Sequence, residues 1–166
     1  MIARLISVDL QEVMPMDKAF FAEQIQENAE LMWRVAHTVL RADEDCKDAM
    51  QETGLKAWMR RDTLRDESRF KAWLIRILIN ECHNVYRRQR RYVPLADQPE
   101  PSVSPPDVDL YLTLMNLPSM DRILLELHYV ERMSEKEIAL VYHLPASTIR
   151  GRIHRAKKKL RKELGV

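Results

Sequence analysis

The sequence predicts an all-α protein made of two small helical domains joined by a proline-rich linker. Three observations carry that reading. Apolar residues recur at steps of three and four through every long segment, the spacing that gathers them on one face of a helix. Only three glycines occur in 166 residues, fewer than the turns of a strand-rich fold usually need. Five of the eight prolines (Pro94, Pro99, Pro101, Pro105 and Pro106) crowd between residues 93 and 107, where no packed helix survives them. The expected division is residues 1–92, a bundle of three or four helices; 93–107, an extended linker; and 108–166, a four-helix domain ending in a helix-turn-helix.

Residues 1–16 alternate loosely between apolar and polar and support nothing beyond a lightly packed lead-in. Asp17 is a good N-cap residue. From it Phe20, Phe21, Ile25, Leu31, Met32, Val35, Ala36, Val39 and Leu40 recur at helical spacing, as one helix or as two with a bend near Asn28. A further helix opens between Asp43 and Asp45. Its apolar face reads Cys46, Ala49, Met50, Thr53, Leu55, Ala57 and Trp58, and its polar face Asp48, Gln51, Glu52 and Lys56. Gly54 in the middle of it costs about 1 kcal/mol relative to alanine. Residues 62–69 are charged without a helical period and read as a loop. The strongest helix then starts at Phe70. Phe70, Trp73, Leu74, Ile77, Leu78 and Val85 form a core-facing stripe, and Arg76, Asn80, His83 and Arg87 a polar one. Trp73, lying in the apolar stripe, reads as core before it reads as a stacking platform. The helix ends in Arg87-Arg88-Gln89-Arg90-Arg91. The macrodipole favours arginine at a helix C-terminus, but four exceed that need and point to phosphate.

Val108 and Asp109 open a short helix that runs to Leu117. Pro118 and Ser119 make a turn, and a helix from Met120 to Glu131 follows, using Ile123, Leu124, Leu127 and Val130. Ser134 with Glu137 is a capping-box pair that starts SEKEIALVY, and His143, Leu144 and Pro145 end it. The last helix sets Arg150, Arg152, Arg155, Lys157, Lys158, Lys159, Arg161 and Lys162 against the single acid Glu163. Its one apolar row is Ile149, Ile153, Ala156 and Leu160. A capped short helix, a tight turn and a long basic helix make a helix-turn-helix, whose second helix enters a major groove. Basic amphipathic helices also coat membranes or simply face water. Ser147, Thr148, Arg150 and Arg152 in the first turns decide for DNA. Hydroxyls there reach phosphates or base edges, and arginine pairs with the guanine edge through two hydrogen bonds.

Other classes fall away. The formal charge is only +2, from 27 basic against 25 acidic residues, so charge speaks through its clustering at Arg87 to Arg91 and Arg150 to Lys162 rather than its total. Cys46 and Cys82 sit in helical patterns without a CxxC pair and read as buried reduced thiols. Cys82 beside His83 is no metal site, because neighbours on a helix point about 100° apart. No apolar run is long enough to span a bilayer, no signal peptide is evident, and a cytoplasmic location is expected. No catalytic constellation, phosphate loop or HExxH motif appears.

Together these segments resemble the extracytoplasmic-function (ECF) group of bacterial sigma factors, in that family's order and over about residues 20 to 165. DCKDAMQETGLKAW is similar to the acidic-Gln-Glu helix of region 2, FKAWLIRILINECHNVYRRQRR to the promoter-melting helix, and LPSMDRILLELHYVERMSEKEIALVYHLPASTIRGRIHRAKKKL to region 4. The resemblance implies a dissociable polymerase subunit with no catalytic residues, no cofactor and no metal. Its partners would be core RNA polymerase, promoter DNA and an anti-sigma factor, without membrane insertion. Asp48, Gln51, Glu52 and Lys56 would bind core polymerase. Arg65, Ser68, Lys71, Arg76, Asn80, His83, Arg87 and Arg88 would hold the −10 element as a single strand. Ser147, Thr148, Arg150, Arg152, Arg155 and Lys158 would meet the −35 element as duplex. The chain departs from the family pattern at Gly151, where serine is commoner, at Ala146-Ser147, and at Leu64 to Glu67. The rival readings are a stand-alone helix-turn-helix regulator on duplex operator DNA and, more remotely, a nucleic-acid-modifying enzyme.

Overall fold

The computed structural model describes residues 16–92 and 108–166; the lead-in and the proline-rich stretch lie outside the described residues. Eight α-helices follow one another, and no strand occurs among the described residues. They are α1 (Lys18–Glu27), α2 (Ala29–His37), α3 (Asp43–Met59), α4 (Phe70–Tyr92), α5 (Val108–Met115), α6 (Ser119–Leu125), α7 (Glu135–Tyr142) and α8 (Ala146–Glu163).

The bend expected near Asn28 separates α1 from α2. The Asn28 side-chain amide donates to the Gln24 carbonyl at 2.8 Å, a local bond that competes with continuing the helix. α1 then lays Phe21 against Trp58 and Phe70, with ring centroids 5.1 and 5.9 Å apart and edge-on geometry. Trp73 meets Phe70 with ring centroids 5.7 Å apart and rings tilted by 55°; it is half-buried and packs against the core. In α3 the buried row is Cys46, Ala49, Thr53 and Ala57. Leu55, expected on the apolar face, is 61% exposed: the proposed face covered a wider arc than α2 and α4 together bury. Residues 61–69 are not a plain loop. They hold two 3-10 turns, Arg61–Thr63 and Glu67–Arg69, the second capped by Asp66, whose carboxylate accepts from the Ser68 backbone N–H at 3.0 Å.

In the C-terminal half the helix from Ser119 changes pitch. Residues Glu126–Val130 form a π turn, and the Glu131 N–H bonds to the Glu126 carbonyl five residues back at 3.0 Å. The extra residue rotates Val130 out of the core, leaving it 56% exposed against the expectation that it packs. The capping box forms: Ser134 accepts from the Glu137 N–H at 3.2 Å, and the Glu137 carboxylate accepts from the Ser134 N–H at 2.7 Å. His143 then takes the left-handed conformation, φ 51°, and Pro145 starts α8. Together they form the tight turn of the helix-turn-helix.

α4 is the centre of the molecule. One side packs on α3 and α2, and the other receives α7 of the C-terminal half. Ala72, Ile75 and Ile79 are buried in addition to the stripe read from the sequence, as is Cys82, which stands near Cys46 of α3. A single hydrophobic cluster runs from Phe21 and Phe70 through Leu74 and Leu78 to Ile138 and Ile149. Both cysteines lie inside it, and burial pushes each thiol up to about 12.

Candidate nucleic-acid interface

Three polar surfaces emerge from this packing. The first is the outward side of α3, where Asp48, Gln51 and Glu52 are exposed, with Leu55 beside them. Lys56 is different. Its ammonium donates to the Glu81 carboxylate of α4 at 2.6 Å, and Glu81 is only 5% exposed. A buried carboxylate needs such a partner, so Lys56 joins α3 to α4. These residues line a groove of about 750 Å³ whose facing wall is Arg87, Arg88 and Arg91 of α4. Acidic and basic walls stand opposite each other, with apolar Leu55 on the acidic side.

The second surface is the polar row of α4. The helix brings Arg76, Asn80, His83 and Arg87 together, and three of the four are exposed. His83 is half-buried. Burial first, and then the neighbouring cations Arg87 and Arg122, depress its basicity. Arg76 contacts the His143 ring in the helix-turn-helix. Arg87 is steadied by Asn84, whose side-chain oxygen accepts at 2.8 Å. Of the other residues expected at this surface, Lys71 is half-buried toward Glu137 of α7, and Arg88, like Arg87, lines the α3 groove. Arg65 and Ser68 are exposed on the 3-10 segment that leads into α4. The Ser68 hydroxyl donates to Asp66 at 2.6 Å, and those bonds hold the Asp66 carboxyl below its ordinary range.

The third surface is α8. Its buried row is Ile149, Ile153 and Ala156, and three links fix its placement. Arg150 donates to Glu135 at the start of α7 at 2.7 Å, which holds the Glu135 carboxyl low. Lys159 pairs with Asp121 of α6 at 2.7 Å. Arg152 donates to the Met120 sulfur and is half-buried, so it packs along the flank of the helix. Directly opposite the buried row, at steps of four, three and four, run Ser147, Gly151, His154 and Lys158. Ser147, His154 and Lys158 are exposed, as is Arg155 beside them, while Thr148 is half-buried. A side chain added at Gly151 would meet open space apart from Arg155 at 3.9 Å.

Reading the sequence missed His154 at the centre of the outward face, and Glu81 as the group that occupies Lys56. Counting on from Ser147 at helical steps would have found His154. Glu81 gave no signal, because a lone acid beside an apolar stripe looks solvated until the neighbouring helix is placed. Among the described residues no group of three or more His, Cys, Asp or Glu is placed to hold a metal ion, and no helix is long and apolar enough to cross a membrane.

Comparison with known proteins matches the same segments. The family model for Sigma-70 region 2 matches residues 24–92, and that for Sigma-70, region 4 matches residues 107–160. The RNA polymerase sigma factor SigV of Bacillus subtilis is 26% identical over 153 residues, covering 89% of this chain and 92% of that protein. The ECF RNA polymerase sigma-E factor of Escherichia coli K12 is 28% identical over 135 residues, covering 69% and 71%. Among solved structures, the sigma factor RpoE of Bartonella quintana, in complex with the anti-sigma factor NepR, superposes with a TM-score of 0.70 at 25% identity. It covers 88% of this chain and 97% of its own. CnrH in complex with the cytosolic domain of CnrY gives 0.69 at 26% identity, covering 93% of each chain.

Proposed function

This chain belongs to the ECF group of the sigma-70 family, and from that premise we propose how its surfaces divide the work of starting transcription. It is a dissociable promoter-specificity subunit of bacterial RNA polymerase and makes or breaks no bond itself. Residues 1–92 dock on core polymerase and hold the −10 element; residues 108–166 read the −35 element; residues 93–107 connect them. The chain works in the cytoplasm, where polymerase is, and an anti-sigma factor holds it inactive.

Asp48, Gln51 and Glu52 meet a basic surface of core polymerase, as charge complementarity favours. Lys56 supports that face from behind through Glu81. Arg76, Asn80, His83 and Arg87 take the unpaired −10 strand, with Arg65 and Ser68 at the entrance, bonding bases and neutralising phosphates. Lys71 and Arg88, standing off that row, add positive potential rather than base contacts. Ser147, Thr148, Arg150, Arg155 and Lys158, joined by His154, enter the −35 major groove. Arg152 positions α8. Opening the duplex draws on the difference in affinity between melted and paired DNA, since no step here uses nucleotide hydrolysis.

The observation that carries this reading is the pairing of two different basic helices in one chain. α4 offers a narrow polar row flanked by core, suited to a single strand. α8 offers a broad cationic face braced by α6 and α7, suited to a groove. A stand-alone operator-binding regulator would use α8 and leave α4 and the exposed row of α3 without a role.

The test mixes purified core polymerase, genomic DNA and the chain, and maps the transcripts. Transcripts that depend on added chain are expected, and Glu52→Lys should weaken polymerase binding while the thermal melt is unchanged. Tight duplex binding without polymerase, and no chain-dependent transcript, would overturn this reading in favour of the regulator.

A further inference from the structure

Asp48, Gln51, Glu52 and Leu55 follow one another on α3 at steps of three, one and three, so they share one face over two turns. Asn84, Arg87, Arg88 and Arg91 repeat those steps on α4. The rows run antiparallel, because Lys56 bonds Glu81 at one end and Gln89 bonds Asp45 at the other. Acids on one helix thus face arginines on the next along the whole groove.

The facing charges do not close on each other. Lys56 bonds Glu81 at 2.6 Å on the floor of the groove and stands 3.7 Å from Glu52. Arg87 donates to Asn84 of its own helix at 2.8 Å. Among the described residues Asp48, Arg88 and Arg91 have no hydrogen-bond or ion-pair partner, and all three are exposed. Water screens such charges at little cost to the free chain. Both walls therefore remain open to a guest.

The charge pattern selects that guest. A nucleic-acid strand drawn in by Arg88 and Arg91 would carry its phosphates along the acidic wall. A purely basic segment would lie against arginine. Like charges oppose both, whereas a segment bearing both signs satisfies both walls. Beyond the acids the α3 row passes into Leu55 and Met59, 61% and 77% exposed. An apolar patch beside satisfied charges is the make-up of a protein interface, not of a phosphate track.

We propose that this groove seats a two-signed helical segment of core polymerase. Its basic side chains meet Asp48 and Glu52, its acidic ones meet Arg88 and Arg91, and an apolar one covers Leu55 and Met59. The proposal rests on the reading of Asp48, Gln51 and Glu52 as the polymerase face. It moves Arg88 and Arg91 from the DNA side to the polymerase side, while Arg87, held by Asn84, stays in the strand row. The Lys56–Glu81 pair sets the spacing of the walls.

The test titrates the labelled full chain with purified core polymerase without DNA, at about 0.1 M salt, where charges within about 10 Å still interact. Glu52→Lys and the paired reversal Arg88→Glu/Arg91→Glu should each weaken binding about tenfold. Arg88→Gln/Arg91→Gln removes the charge without reversing it and should lose about threefold; this pair decides the matter if the reversal lowers the thermal melt. Arg90→Glu makes the same charge change on the side of α4 turned to Tyr86, and should leave polymerase affinity unchanged. If Glu52→Lys weakens binding and neither arginine pair does, the two-signed groove is overturned and the acidic polymerase face stands. If none of them weakens it, the polymerase face itself falls. Equal weakening by Arg90→Glu and by the paired reversal would show general charge rather than a seat in the groove, and also overturns the proposal.

Discussion

α4 and α8 are the two long basic helices of this protein, and they are held in opposite ways. α4 is packed against α2, α3 and α7, leaving exposed a narrow polar row and the arginines near its C-terminal end. α8 buries Ile149, Ile153 and Ala156 and turns the rest of its surface outward. The difference teaches what each can recognise. A helix locked on three sides fixes a few side chains with little freedom, as selection of splayed bases requires. A helix anchored by one stripe presents a wide positive face, as a major groove requires.

The largest expected effect comes from breaking the locked side. Leu78→Ala, at a position with no exposure, should lower stability by about 2–5 kcal/mol in urea titration. Because its cluster reaches Ile138 and Ile149, both halves should unfold in one transition; two separated transitions would mean that they are independent. Lys56→Ala, which strands the Glu81 carboxylate, should cost roughly 1.5–3 kcal/mol, read in the same titration. If stability is unchanged, Lys56 is free for polymerase after all. Lys158→Ala tests the open helix. Its stability should stay within about 0.5 kcal/mol, while the salt dependence of DNA binding loses about one unit of slope.

Much of this contrast was legible in the sequence. Helix periodicity gave the stripe from Phe70 to Val85, the capping box at Ser134 and Glu137, and the buried row of α8. The second buried face of α4 was not legible. Ile75 and Ile79 look like a widened stripe until α7 arrives from more than fifty residues away, and no local period encodes that. Charge was the weakest guide to the site. Arg152 and Lys56 look as available as Arg155 or Lys158. Only tertiary neighbours, Met120 and Glu81, show that the first two also make contacts within the fold. The side-chain chemistry was readable, but the partners were not.

Smaller effects sharpen the same comparison. Gly54 has no neighbour within 4 Å of an added side chain, so Gly54→Ala should stabilise α3 by about 0.5–1 kcal/mol in thermal unfolding. A loss of polymerase affinity in that stabilised variant would show that a partner approaches the backbone there. The smallest effect concerns His83. Its ring binds a proton less readily folded than unfolded, because burial and then Arg87 and Arg122 oppose the charge. Its contribution is therefore full above the ordinary histidine value near pH 6.5 and fades as pH falls toward the depressed folded value. His83→Gln should flatten part of the stability loss between pH 7 and 5 in urea titration. Some slope should remain, since burial depresses His37 as well. An unaltered slope would remove His83 from the linkage.

The most direct measurement sets the two helices against two DNA forms. Polymerase carrying the wild-type chain, Asn80→Ala or Lys158→Ala is titrated with a −35 duplex fragment and with an unpaired −10 strand. If strand and duplex are divided between α4 and α8, Asn80→Ala weakens only the strand and Lys158→Ala only the duplex. Equal weakening of both DNA forms by both variants would contradict that division.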